Sequence, residues 1–241
     1  MPADADDRAA GARHAVPRLL GGAVAVYAFL AGSGLLLTRA FPDGPLLRAD
    51  RAVSQWWFEH RTPTLNQLSH LGSSLSDTVT AIAVTVALVL GLRLWLHRWR
   101  ESVAILVSIV GELLIFVLVT ATVHRQRPTV AHLDPAPPTS SFPSGHTGAA
   151  MALYVGLAVI LVALARQSGR WALSIPVSVL LCAVPVAVAL SRMYRGMHFL
   201  TDVLAGALAG GLWMAIVMVT LLGKGSPQAQ RPAQHRVPSS R

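Results

Sequence analysis

The chain has 241 residues and a formal net charge of +9, with 53% hydrophobic and only 13% charged residues. A globular domain carries roughly 25% charge, so this composition, with a mean hydropathy of +0.53, excludes an ordinary soluble domain and a disordered chain. The single cysteine, Cys182, excludes an intrachain disulfide framework and a multi-cysteine zinc or iron–sulfur site.

Taken in chain order, residues 1–17 are rich in Ala, Asp and Arg and read as a disordered tail. Six apolar stretches follow, at residues 19–38, 78–97, 102–123, 145–165, 171–191 and 203–223, broken only by Arg93 in the second and Glu112 in the third. About 20 residues at a 1.5 Å rise span about 30 Å, the thickness of the hydrocarbon core. Apolar residues surround each stretch and form no single stripe, which fits burial in lipid. The prediction is an all-α polytopic membrane protein, a bundle of six transmembrane helices occupying residues 18–223. Residues 224–241, with Pro, Gln, Ser and Arg and no periodicity, read as a second disordered, basic tail.

The longest connection, residues 41–76, carries Trp56, Trp57 and Phe58 beside Glu59, His60 and Arg61, with Pro63 after them. It reads as a short helix lying in the interface with its aromatics at headgroup depth; a lateral gate for lipid is the alternative. The six spans place twelve of the Lys and Arg residues on one side, including Arg8, Arg13, Arg18, Arg93, Arg98, Arg100, Arg166, Arg170 and the carboxyl tail, against eight on the other. The positive-inside rule then predicts cytoplasmic termini and outward-facing odd-numbered loops. No basic helix or aromatic-interleaved patch accompanies the charge, so no nucleic-acid partner is expected.

Two of these outer loops concentrate reactive residue types. One reads His124-Arg125-Gln126-Arg127-Pro128 and continues to Pro143-Ser144-Gly145-His146; the other runs from Ser191-Arg192 to His198 and Asp202. The four-residue spacing of His198 and Asp202 puts both on one helix face, where a carboxylate can hold one ring nitrogen and leave the other as a nucleophile. An ordinary helix-end contact is the alternative. Ser144-Gly145-His146 opens a helix whose free N–H groups and dipole suit a phosphate, although a plain helix cap has the same sequence. Arg127 and Arg192 are guanidinium forks suited to phosphate oxygens, or to snorkelling at the headgroups.

Together these residues resemble the type 2 phosphatidic acid phosphatase superfamily, which includes bacterial undecaprenyl-diphosphate phosphatases. Its Pro-Ser-Gly-His motif is complete at residues 143–146. So is its third motif, Ser-Arg, five residues, His, three residues, Asp, at Ser191-Arg192, His198 and Asp202. Of its first motif, Lys, six residues, Arg-Pro, only Arg127-Pro128 is present, because Thr120 stands at the lysine position. The resemblance covers about residues 78–220, with the core motifs within 120–202. It implies that His198 attacks phosphorus to form a phosphohistidine, oriented by Asp202, and that His146 protonates the leaving group. Arg127, Arg192, Ser144 and the Gly145 backbone would hold the phosphate oxygens. The substrate implied is a lipid phosphate at the outer leaflet: phosphatidic acid, phosphatidylglycerol phosphate or undecaprenyl diphosphate. No metal and no cofactor are expected. Partners beyond membrane lipids and the oligomeric state carry no sequence signal.

Other readings are a haloperoxidase, since vanadium enzymes share the constellation, an inactive lipid-phosphate binding or transport protein, and a metal site built from His124, His132, His146 and His198. Arg125 or Arg195 is a candidate to replace the missing lysine. Glu112 reads as too deep for the site itself.

Overall fold

A computed structural model describes residues 3–42, 44–169 and 171–223, with side chains from Ala15 onward. The described residues form helices joined by loops, of which 123–144 is the longest non-helical stretch, and they contain no strand. In chain order, α1 is Ala3–Leu35, α2 Pro45–Glu59, α3 Pro63–Ser74, α4 Thr78–Leu96, α5 Arg100–Thr122, α6 Gly145–Ala150, α7 Gly156–Ser168, α8 Trp171–Tyr194 and α9 Leu200–Leu222. A π-helical turn, Leu36–Ala40, extends α1, and another, Met151–Val155, joins α6 to α7 into one continuous span.

Six segments are long and apolar enough to cross a membrane: Ala15–Ala40, Thr78–Leu96, Arg100–Thr122, Gly145–Ser168, Trp171–Tyr194 and Leu200–Leu222. Each overlaps one of the six apolar stretches of the sequence. Large apolar side chains such as Val79, Leu94, Leu173 and Val219 stand exposed on their outer faces, as a lipid-facing surface requires. The amino-terminal helix starts at Ala3, inside the segment 1–17 expected to be disordered. An alanine-rich stretch has high intrinsic helix propensity and extends an adjoining helix at little cost. The carboxyl tail, residues 224–241, lies outside the described residues.

The core runs between α1, α5, α6 and α9, where Leu30, Ile105, Val119, Val123, Phe142, Leu153 and Val217 are buried. Small residues let the backbones approach, as in many membrane helix pairs. The Trp213 indole of α9 covers Gly111 of α5 and donates to the Val107 carbonyl at 3.1 Å. Gly206 and Gly210 of α9 lie directly against the Ser144 and Gly148 carbonyls. Across α1 and α5, the Tyr27 and Thr122 hydroxyls pair at 2.9 Å.

The long connection holds two helices where the sequence predicted one. Pro45 and Pro63 each stand in a first turn, where a missing N–H costs nothing. The Thr62 hydroxyl caps α3 by accepting from the Leu65 N–H at 3.2 Å. On α2, Trp56 and Phe58 are exposed, while Trp57 meets Tyr194 edge-on at 5.9 Å. Arg61 donates to the Tyr194 carbonyl at 3.0 Å and the Ala131 carbonyl at 2.7 Å. α2 and α3 are thereby pinned over the membrane face where α5 and α8 end and α6 and α9 begin.

Candidate active site

The motif residues converge at that face. The Ser144 N–H donates to the Asp202 carbonyl at 2.9 Å, so the start of α6 is tied by backbone to the start of α9. The first intrahelical bond of α6 runs from the Gly148 N–H to the Ser144 carbonyl at 3.1 Å. The amides of Gly145, His146 and Thr147 precede it and are the unspent donors of a helix start. Ser144 occupies the cap position but makes no side-chain cap; its Oγ pairs with Thr147 Oγ1 at 3.0 Å. Glycine at 145 has a packing reason beyond access to an anion, because a Cβ there would meet the Phe116 ring at 2.9 Å.

His198 is buried just ahead of α9. Its Nδ1 lies 2.8 Å from the Ser141 carbonyl oxygen. A carbonyl only accepts, so Nδ1 carries the proton and Nε2 keeps its lone pair. That lone pair faces Arg127, whose Nη1 is 3.5 Å away and donates to the Met197 carbonyl at 2.8 Å. Asp202 lies 3.8 Å from Nδ1, beyond hydrogen-bond reach but close enough to act on the ring by charge. Its oxygens accept from the Ser141 hydroxyl, the Arg125 guanidinium and, at 2.9 Å, the Phe199 N–H. Burial lowers the His198 pKa, Asp202 opposes that, and the charges of Arg192 and Arg127 lower it further; the net direction is down. The resting imidazole is therefore neutral.

Arg192 reaches in from the end of α8, its Nη1 donating to Ser73 Oγ at 2.9 Å and Asp134 Oδ2 at 3.0 Å. The Nε–H groups of Arg127 and Arg192 are buried without a partner. Burial raises the Asp134 carboxyl pKa, but the hydrogen bond and charge of Arg195, with the charges of Arg192 and His70, outweigh it and leave it lowered. His146 lies in the first turn of α6, its carbonyl held by the Ser76 hydroxyl at 2.7 Å, and is near enough to His198 and Arg192 for their charges to interact. All seven sequence-selected residues, His198, Asp202, His146, Arg127, Arg192, Ser144 and Gly145, thus lie at the same end of the bundle.

Neither arginine proposed to stand in for the missing lysine is at liberty. Arg125 is held by Asp50 and Asp202, and Arg195 by both oxygens of Asp134. Thr120 itself turns its hydroxyl back onto the Phe116 and Val117 carbonyls of its own helix. Glu112 sits higher than the sequence reading placed it. A Cβ on Gly148 would lie 2.0 Å from its Oε1, so the carboxyl packs one helical turn inside the Ser144-Gly145 opening. Sequence reasoning missed Asp50, Ser73, Ser76, Asp134 and Ser141, which stand in the connecting segments with no motif spacing to mark them. Among the described residues, no three His, Cys, Asp or Glu side chains are grouped to hold a metal ion.

Comparison with known proteins places the chain in a family. Phosphatidylglycerophosphatase B of Bacillus subtilis (strain 168) is 30% identical over 193 residues, covering 76% of this chain and 88% of the relative. The crystal structure of the transmembrane PAP2 type phosphatidylglycerolphosphate phosphatase from Bacillus subtilis superposes with a TM-score of 0.68 at 26% identity, over 81% of this chain and 93% of that one. Aquifex aeolicus LpxE shares the fold at a TM-score of 0.56 and 20% identity, over 69% of this chain and 93% of its own. Residues 101–225 match the PAP2 superfamily. With its six apolar spans, the chain therefore belongs to the PAP2 superfamily, as a multi-pass member of that membrane lipid phosphatase family.

Proposed function

We propose that the protein hydrolyses a phosphate monoester or diphosphate ester of a lipid at the extracytoplasmic leaflet through a phosphohistidine on His198. The observation that carries this is the placement of the imidazole: Nδ1 lies 2.8 Å from the Ser141 carbonyl, which leaves the Nε2 lone pair facing Arg127 Nη1 at 3.5 Å. Nε2 attacks the terminal phosphorus as its P–O bond to the leaving group breaks, and His146 gives its proton to the departing oxygen, an alkoxide from a monoester or a lipid phosphate from a diphosphate. His146 then takes a proton from water, the water oxygen attacks phosphorus, the P–N bond breaks and orthophosphate leaves. Arg127, Arg192 and the amides at Gly145 hold the equatorial oxygens. A buried, unpaired N–H costs about 1–3 kcal/mol, and a bound phosphate would satisfy those of both arginines. The arriving dianion also favours a proton on His146.

Phosphatidylglycerol phosphate is the first substrate to test, because both Bacillus subtilis relatives are named for it; phosphatidic acid and undecaprenyl diphosphate complete the panel. In this reading residues 18–223 form the phosphatase domain and both termini are cytoplasmic. Purified protein should release orthophosphate from at least one member of the panel, and labelled substrate quenched in alkali should leave acid-labile label on His198. A panel without release would end the proposal.

Two further results are expected. Neutral His198 is the reactive form, so activity is lost as pH falls through its lowered pKa. The acid limb of kcat/KM should therefore lie below the usual histidine value of about 6.5. An acid limb above that value would contradict a free Nε2 in the resting site. The two arginines and the helix start supply the positive field, so EDTA should leave turnover unchanged; loss of turnover restored by a divalent cation would refute a metal-free reaction.

A further inference from the structure

Asp50 and Arg125 belong to none of the three motifs, yet they are buried in series behind Asp202. Arg125 Nη2 donates to Asp50 Oδ2 at 2.6 Å, while its Nη1 donates to Asp202 and, at 2.7 Å, to the Thr201 hydroxyl. Asp50 accepts in turn from the Thr201 N–H at 3.0 Å and the Thr201 hydroxyl at 2.5 Å, capping α9 from 151 residues away. The Phe199 ring closes over the guanidinium at 4.4 Å. Arg125 alone would cancel the charge of Asp202 in a desolvated site. With Asp50 attached, the three groups carry one net negative charge, and the end facing the imidazole is Asp202.

We infer that Asp50 and Arg125 are positioning residues that, as an Asp50–Arg125–Asp202 charge chain, fix the field Asp202 exerts on His198. The inference rests on the reading of His198 as nucleophile. A ring that becomes cationic on phosphorylation is stabilised by that residual charge. The other groups facing His198 are Arg127 from the loop after α5, Arg192 from α8 and His146 from α6; none of them touches Asp50.

The test is the pH dependence of phosphate release by four full-length variants in detergent. Asp50→Asn makes the chain neutral, so the acid limb of kcat/KM should move down by about half a unit or more. Its kcat should fall about tenfold with KM unchanged, because Asp50 does not touch substrate. Arg125→Gln leaves two negative charges and should move the limb up. The double variant regains one net negative charge, and its limb should return towards that of the wild type. Asp50→Glu keeps the charge and should keep the limb, which a purely structural clamp would not require. If Arg125→Gln does not fold, the comparison of Asp50→Asn with Asp50→Glu still decides. An unmoved limb in folded Asp50→Asn, with His198→Ala inactive, overturns the chain, as do shifts of the same sign in both single variants. Full release by His198→Ala overturns the nucleophile reading and the chain with it.

Discussion

Alanine in place of His198 is expected to cut phosphate release at least about 10³-fold while the protein still folds. The imidazole makes one close hydrogen bond, from Nδ1 to the Ser141 carbonyl. Its loss leaves one buried acceptor unpaired, a cost of about 1–3 kcal/mol. His198→Asn separates the two roles more sharply, since its amide can still donate to that carbonyl but has no nucleophilic nitrogen. Both variants should be inactive, with Asn the more stable. Asp202 offers no such separation, because it holds the Ser141 hydroxyl, the Arg125 guanidinium and the Phe199 N–H together. Its removal should lower stability and turnover at once. Turnover by His198→Asn within tenfold of wild type would show that the nucleophile lies elsewhere.

The six spans were legible because lipid demands about 20 apolar residues in a row, a signal carried by composition alone. The proposed site residues were chosen for a different reason: their motifs, histidines, arginines and a carboxylate beside helix ends, resemble those of a known family. What remained hidden acts across long stretches of chain. Asp50 meets Arg125 and Thr201 at separations of 75 and 151 residues, and in the sequence it is one acid between Arg48 and Arg51. Asp134 likewise looks like a solvated loop residue until α8 brings Arg192 and Arg195 to it. The hold on His198 also uses the Ser141 backbone carbonyl, to which sequence is blind, alongside Asp202 at 3.8 Å. Glu112 was placed by helix rise from Arg127 alone, which ignored that α6 starts well inside the bundle and lays Gly148 against it.

That placement of α6 against α9 carries the second large effect. Gly206→Ala is expected to reduce turnover about 10²-fold and to destabilise the protein by about 1–3 kcal/mol. The added Cβ would lie 2.3 Å from the Ser144 carbonyl oxygen. That oxygen is backbone and already accepts from the Gly148 N–H, so it cannot swing aside. The helices must instead part by an appreciable fraction of an ångström, which stretches the bond from the Ser144 N–H to the Asp202 carbonyl. That bond is the direct backbone link between the strip carrying Gly145 and His146 and the one carrying His198 and Asp202. Gly91 of α4 is the control, since a Cβ there meets nothing within 4 Å. Gly91→Ala should keep full turnover and gain about 0.5–1 kcal/mol from its better helix propensity. Melting temperatures and kcat in the same detergent decide the matter. Wild-type turnover by Gly206→Ala would mean that the two histidines keep their register by some contact other than the α6–α9 seam.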